Sequence, residues 1–230
     1  MSIIECKGLT KVYSGTTALN HIDLNLDAGR IVGLLGPNGS GKTTFIKICN
    51  RLLQPTSGSI LIDGKAPGIE SKSIISYLPD REFLPTWMNI SQLLNFYADF
   101  YKDFDKERAM AMLEELQIPE KRALKKMSKG TKEKVQLILT MSRRAKIYFL
   151  DEPIAGVDPA ARDYILKTII SNYSQDAVVI ISTHLIADVE SVLDEVVFIN
   201  RGEVVLHKAA DEIREETGKS VDEYFREVFR

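Results

Sequence analysis

Nothing in the chain narrows its fold more than Gly36-Pro37-Asn38-Gly39-Ser40-Gly41-Lys42-Thr43-Thr44, which directly follows the apolar run Ile31-Val32-Gly33-Leu34-Leu35. The segment fits the pattern G-x-x-x-x-G-K-S/T. That pattern binds phosphate when a strand feeds a glycine-rich turn that opens a helix. Gly36, Gly39 and Gly41 are expected to take positive φ, so that the backbone wraps closely around an anion. Successive N–H groups then converge on the anion as a nest, and the following helix directs its positive end at the same point. Lys42 is expected to reach the β- and γ-phosphates, and the Thr43 hydroxyl to ligate Mg²⁺.

A second segment complements the first. Ile147-Tyr148-Phe149-Leu150-Asp151-Glu152-Pro153 is an apolar strand ending in two carboxylates. A phosphate loop needs a partner for its Mg²⁺, and an aspartate at the C-terminal end of a neighbouring strand supplies one. Asp151 is the candidate, acting largely through the water shell of the metal. Glu152 should point elsewhere, where a carboxylate can orient and deprotonate an attacking water.

The bulk numbers set limits. With 230 residues, 44% of them hydrophobic and 27% charged, the chain has room for one large domain or a domain with an embedded subdomain. A net charge of −2 argues against a nucleic-acid binder working through a broadly basic face, while leaving a local basic patch open. Cys6 and Cys49 lie far apart without metal-like spacing and read as buried or half-buried free thiols of a reducing compartment. The N-terminus has no signal-peptide pattern, and apolar runs such as Ala177–Ile181 are too short to cross a bilayer. Any action at a membrane therefore needs another anchor.

Along the chain, the first 35 residues read as strands, and a helix is expected from Lys42 to Leu53. Ser59–Gly64 and Ile74–Leu78 follow as strands. From residue 81 to 145 the pattern changes: Asn89–Phe100, Asp105–Leu116 and Ser128–Arg143 carry apolar residues at three- and four-residue spacing, which reads as an inserted helical unit. Lys146–Leu150 and Ala177–Ser182 return to compact apolar runs around a helical stretch at Ala160–Tyr173, the alternation of parallel strands with helical crossovers. Arg201-Gly202 signals a hairpin between Glu195–Asn200 and Glu203–His207, and a charged helical segment runs from 210 to 230.

Five further segments stand in a fixed order around the two motifs, and with them the chain resembles the nucleotide-binding subunit of an ABC transporter from Tyr13 onwards. The resemblance implies a P-loop NTPase (RecA-like) α/β core at 1–80 and 146–220, with an N-terminal antiparallel β subdomain and the helical subdomain inserted at 81–145. Lys11-Val12-Tyr13 resembles the loop whose aromatic ring stacks on adenine; otherwise Tyr13 is a strand-end tyrosine packed on the core. Tyr77-Leu78-Pro79-Asp80 stands at the glutamine-loop position, with Asp80 in place of glutamine. A carboxylate is a hard ligand for Mg²⁺, and Asp80 either serves the metal or is a solvated acid beside Arg81. Met127-Ser128-Lys129-Gly130-Thr131 stands where the family has Leu-Ser-Gly-Gly-Gln. Ser128 and the N–H groups around Gly130 would cap the γ-phosphate held by a second subunit, and Ser128 also reads as a plain helix N-cap. Ala155-Gly156-Val157-Asp158-Pro159 resembles the D-loop that crosses the subunit interface; the bland alternative for Asp158 is an N-cap before Pro159. His184 matches the switch histidine that contacts the γ-phosphate. Phe83–Ile90 borders the groove that in the family receives a membrane subunit, or anchors the helical unit to its own core.

The resemblance thus implies an ATP hydrolase using ATP and Mg²⁺ and working as a head-to-tail pair, with a second copy of itself or a homologous ATPase subunit. A separate membrane permease would hold it at the cytoplasmic face of the membrane, in the manner of bacterial ABC-2 exporters, without nucleic acid. A soluble ABC-type ATPase, a P-loop kinase or related phosphotransferase, and a nucleotide-responsive regulatory subunit are the competing classes.

Overall fold

The computed structural model describes residues 2–155, 157 and 159–229. Strands β1 (Ser2–Tyr13), β2 (Thr16–Asp27) and β4 (Ser57–Ile62) form an antiparallel sheet in the order β2-β1-β4. A second sheet has the order β5-β6-β7-β3-β8-β9, from β3 (Ile31–Leu35), β5 (Ile75–Leu78), β6 (Ile147–Asp151), β7 (Val178–Thr183), β8 (Glu195–Asn200) and β9 (Glu203–Ala209). Its neighbours are parallel except β8 and β9, which pair antiparallel across Arg201-Gly202. Both turn residues take positive φ (49° and 82°), as a tight hairpin turn that follows the strand twist requires.

The apolar runs of β3, β6 and β7 are buried on both faces because helices cover both sides of the sheet. On one face α1 (Lys42–Cys49) lies between the two sheets, where Phe45, Ile46 and Cys49 pack with Ile4 and Leu24 of the antiparallel sheet and with Val32, Leu34 and Phe149 of the other. On the opposite face Leu35, Val179, Ile181 and Phe198 pack against α6 (Pro159–Asn172), α7 (Ile186–Val189), α8 (Ala210–Thr217) and α9 (Val221–Val228). Cys6 and Cys49 are free and buried, and burial pushes the Cys6 thiol up to about 12.

Between β5 and β6 the described chain contributes no strand, only isolated bridges. It forms α3 (Ile90–Phe100), α4 (Lys106–Glu115), a 3-10 turn (Leu124–Lys126) and α5 (Lys129–Met141), gathered around Leu93, Leu113, Leu124 and Ile138. Asn89 caps α3 reciprocally with Gln92, and Asp105 caps α4.

One local expectation needs correction, and one element was not expected. Helix α1 stops at Cys49, not Leu53: the Asn50 amide turns back to the Ile46 carbonyl, Arg51 enters the left-handed region, and the N–H groups of Leu52 and Leu53 both fold onto the Lys47 carbonyl. A short helix α2 (Ile69–Ile74), opened by Gly68 with Ser71, precedes β5 in a stretch too short for helical periodicity to be visible.

Candidate functional site

The phosphate loop leaves β3 at its carboxyl end, beside the carboxyl ends of β6 and β7, where open α/β sheets place their ligands. Gly39 (φ 80°) and Gly41 (φ 114°) take left-handed φ as expected. Gly36 does not, and is required for another reason: a Cβ there would lie 2.2 Å from the Ile199 carbonyl oxygen. The loop is buttressed from below by the β8–β9 turn, whose Gly202 N–H donates to the Ser40 carbonyl at 2.9 Å. Gly41, the N-cap of α1, supplies no side-chain hydrogen bond, so no side chain competes for the first N–H groups of that helix. Pro37, Asn38 and Gly39 are exposed at the mouth, and Thr44 is half-buried on α1.

Lys42 is buried, and its ammonium donates to the carbonyls of Gly36 (2.7 Å) and Pro37 (3.2 Å), 3.9 Å from Glu152 Oε1. Burial lowers its pKa, opposed by the charges of Glu152 and Asp151. Thr43 Oγ1 donates to Asp151 Oδ1 at 3.2 Å, and Ser182 Oγ donates to the same oxygen. The second oxygen, Asp151 Oδ2, is buried with no hydrogen-bond partner. Burial raises the Asp151 pKa, against the two hydroxyl hydrogen bonds, with Asp80 and Glu152 adding repulsion. A buried carboxylate oxygen without a partner, beside a hydroxyl oxygen, is a donor set that suits a hard cation. Among the described residues no cluster of three or more His, Cys, Asp or Glu residues could hold a metal unaided. That is expected for Mg²⁺, which takes few protein ligands and completes its shell with water and phosphate.

Glu152 takes φ 52°, which turns its side chain away from that of Asp151 although the two are adjacent in sequence. Its carboxylate accepts from Thr183 Oγ1 at 3.1 Å and meets His184 Nδ1 at 3.0 and 3.1 Å. The roles of Ser182 and Thr183 were not foreseen; the only signal was a pair of hydroxyls at the end of a buried strand. Asp80 is exposed and lines a cavity of about 160 Å³ with Asp151, Glu152, Lys129 and Gln136.

Other expected site residues make no hydrogen bond to this cluster among the described residues. Tyr13 ends β1, 40% exposed, with the Lys11 ammonium 5.1 Å from its ring centroid. Ser128 caps α5, accepting from the Thr131 N–H at 3.2 Å with its oxygen 2.8 Å from Thr131 Oγ1. Gly130 is exposed with open space around it. Among the described residues no hydrogen bond joins Ser128 or Gly130 to Lys42, Glu152 or His184. Asp158 lies outside the described residues. The stretch Phe83–Ile90 divides between its two readings: Leu84, Met88 and Ile90 are buried in the helical unit, while Phe83 and Trp87 face out. Phe83 lines a groove of about 430 Å³ with Leu52, Tyr97 and Tyr101.

Residues 19–155 match the family model described as ABC transporter. The SkfA peptide export ATP-binding protein of Bacillus subtilis is 30% identical over 236 residues, spanning all of this chain and 97% of its own length. The ABC-type transporter ATP-binding protein EcsA of the same organism is 32% identical over 95% of this chain and 92% of its own. A solved structure of an ATP binding subunit of an ABC transporter superposes with a TM-score of 0.89 at 27% identity, each chain covered in full.

Proposed function

The chain belongs to the ABC transporter family as an ATP-binding subunit that hydrolyses ATP, and from that premise we propose how its residues divide the work. The observation that carries the reading is the junction of Lys42, Glu152 and His184, each within 3.9 Å of the next, at the mouth of the phosphate loop. The N–H groups of residues 36–44 cradle the triphosphate, and Lys42 leaves the Gly36 and Pro37 carbonyls for the β- and γ-phosphates. Thr43 and Asp151 would hold Mg²⁺, with Asp80 approaching from the cavity side; the metal neutralises phosphate charge when bound. Glu152 takes a proton from the attacking water, and His184 with Thr183 holds the carboxylate in position for this. Tyr13 offers its exposed ring to the base.

Ser128, Gly130 and Asp158 act across a head-to-tail dimer. The exposure of Ser128 at the start of α5, with no hydrogen bond to Lys42, Glu152 or His184 among the described residues, supports this. Closure of two copies over two ATP molecules excludes water and completes each site, and loss of the γ-phosphate reopens it. No helix among the described residues is long and apolar enough to cross a membrane. A separate permease seated in the Phe83–Tyr101 groove would hold the subunit at the cytoplasmic face, and the peptide export role of the Bacillus relative favours outward transport.

Glu152→Gln tests the reading. It should keep ATP affinity, lose roughly 10²–10⁴-fold in turnover and migrate as a dimer with ATP, whereas the wild type with ADP migrates as a monomer. Identical migration of the two samples would remove the sandwich.

A further inference from the structure

The charge of this chain is unevenly placed. Residues 120–129 hold five cations (Lys121, Arg122, Lys125, Lys126 and Lys129) against one carboxylate, Glu120, a net of +4. The whole chain carries −2, so the remainder carries −6. The fold pins this segment with its charges outward. Leu124 and Met127 are buried in the core of the helical unit, which leaves Lys125 and Lys126 exposed on the 3-10 turn between them. The carbonyls of Glu120 and Arg122 accept from Ser91 and Ile90, tying the stretch to the start of α3, while Lys121 and Arg122 stay exposed. Lys129 leans towards Glu133 at 3.8 Å. The side chains of Lys121, Arg122, Lys125 and Lys126 have no ion pair or hydrogen bond among the described residues. Like charges held this close repel one another and favour whatever brings anions against them.

We infer that this basic segment guides one copy of the chain onto the ATP-loaded face of a second copy. The inference rests on the sandwich proposed above and names the force that assembles it. Two observations single out this partner. The segment runs straight into Ser128, the residue placed opposite the partner's γ-phosphate. The face it would meet carries exposed Asp80, the half-buried carboxylate of Glu152 and, when ATP is bound, the triphosphate, in a chain whose residues outside 120–129 carry a net −6. Two copies of net charge −2 would otherwise repel weakly; a local +4 patch directed at a polyanion reverses that and makes the attraction depend on bound nucleotide. Steering of this kind acts on the association rate and is screened by salt.

The test follows association of the Glu152→Gln protein after mixing with ATP, by stopped-flow light scattering. It compares about 0.01 M salt, where the screening length is roughly 30 Å, with about 0.15 M, where it is roughly 8 Å. The same protein carrying Lys121→Gln, Arg122→Gln, Lys125→Gln and Lys126→Gln should associate about tenfold more slowly at low salt, and the gap should close at high salt. Its affinity for ATP as a monomer and its circular dichroism should match the parent. A set with arginine at the three lysines should keep the parent rate, which separates charge from folding damage. Equal rates for the parent and the glutamine set overturn the inference and leave the sandwich standing. A parent that does not associate with ATP at either salt takes down the sandwich, and the inference with it. Charge-dependent flotation with phosphatidylglycerol vesicles, together with unchanged association, assigns the segment to a lipid surface instead and also overturns the inference.

Discussion

Two glycines of the phosphate loop are needed for different reasons, and the difference can be measured. At Gly39 a methyl group meets open space, so Gly39→Ala costs only left-handed backbone strain, about 1 kcal/mol. At Gly36 the same methyl would collide with the backbone at Ile199, which cannot yield without shifting β8. Gly36→Ala should therefore lower the melting temperature clearly more than Gly39→Ala and weaken ATP binding as well; calorimetry of both variants decides it. Asp151, proposed above as a metal ligand, shows the cost of a carboxylate kept buried. Its carboxyl is harder to ionise in the folded chain than in the unfolded one, so the ionised form subtracts from stability at neutral pH. That cost fades as pH falls through the raised folded pKa towards the unfolded value. Asp151→Asn should raise the melting temperature of the nucleotide-free protein, more at neutral pH than near pH 3.8, the ordinary value of an aspartate, while abolishing ATPase activity.

At the scale of elements, the placement of the helical unit depends on Arg143, just beyond α5. The side chain is 5% exposed, grips Asp103 through Nε and Nη2, and donates to the carbonyls of Ile75 (2.6 Å), which opens β5, and Ser73 (2.9 Å) in α2. Its guanidinium lies 4.1 Å from the Tyr101 ring centroid. One residue thus ties the helical unit to the core sheet, and it does so beside the groove lined by Phe83. Arg143→Met should destabilise the protein by about 2 kcal/mol, less than the roughly 3–5 kcal/mol of a fully buried pair because Asp103 is 25% exposed. It should also speed hydrogen exchange in α3 and α5 more than in β3, β6 and β7. Uniform exchange changes would rule out this tying role. Nothing in the spacing of Arg143 announced this, because its partners lie 40 to 70 residues away.

At the scale of the whole molecule, a single chain brings together the loop, Asp151, Glu152 and His184, but holds Ser128 outward on the helical unit. An active site completed by a second copy makes activity depend on concentration. Steady-state ATPase per subunit should rise with protein concentration and level off; a rate strictly proportional to protein from the lowest concentration upward would mean that each chain is catalytically complete.

The sequence by itself determined the parts whose physics is local. The glycine-rich turn with Lys42 and Thr43, the carboxylate pair ending an apolar strand, the Arg201-Gly202 hairpin and the three-residue periodicity of α3 to α5 are all encoded within a few neighbouring residues, so pattern and propensity suffice to read them. The tertiary structure alone decided what depends on distant backbone coming close. It showed that Gly36 is a glycine because of Ile199, that Ser182 and Thr183 orient the two acids from a neighbouring strand, and that α1 ends where the Asn50 amide turns back. It also showed which side of residues 120–129 stays in solvent. Those facts follow from how the strands cross over and which faces the cores consume, and packing between remote segments leaves no periodic trace along the chain.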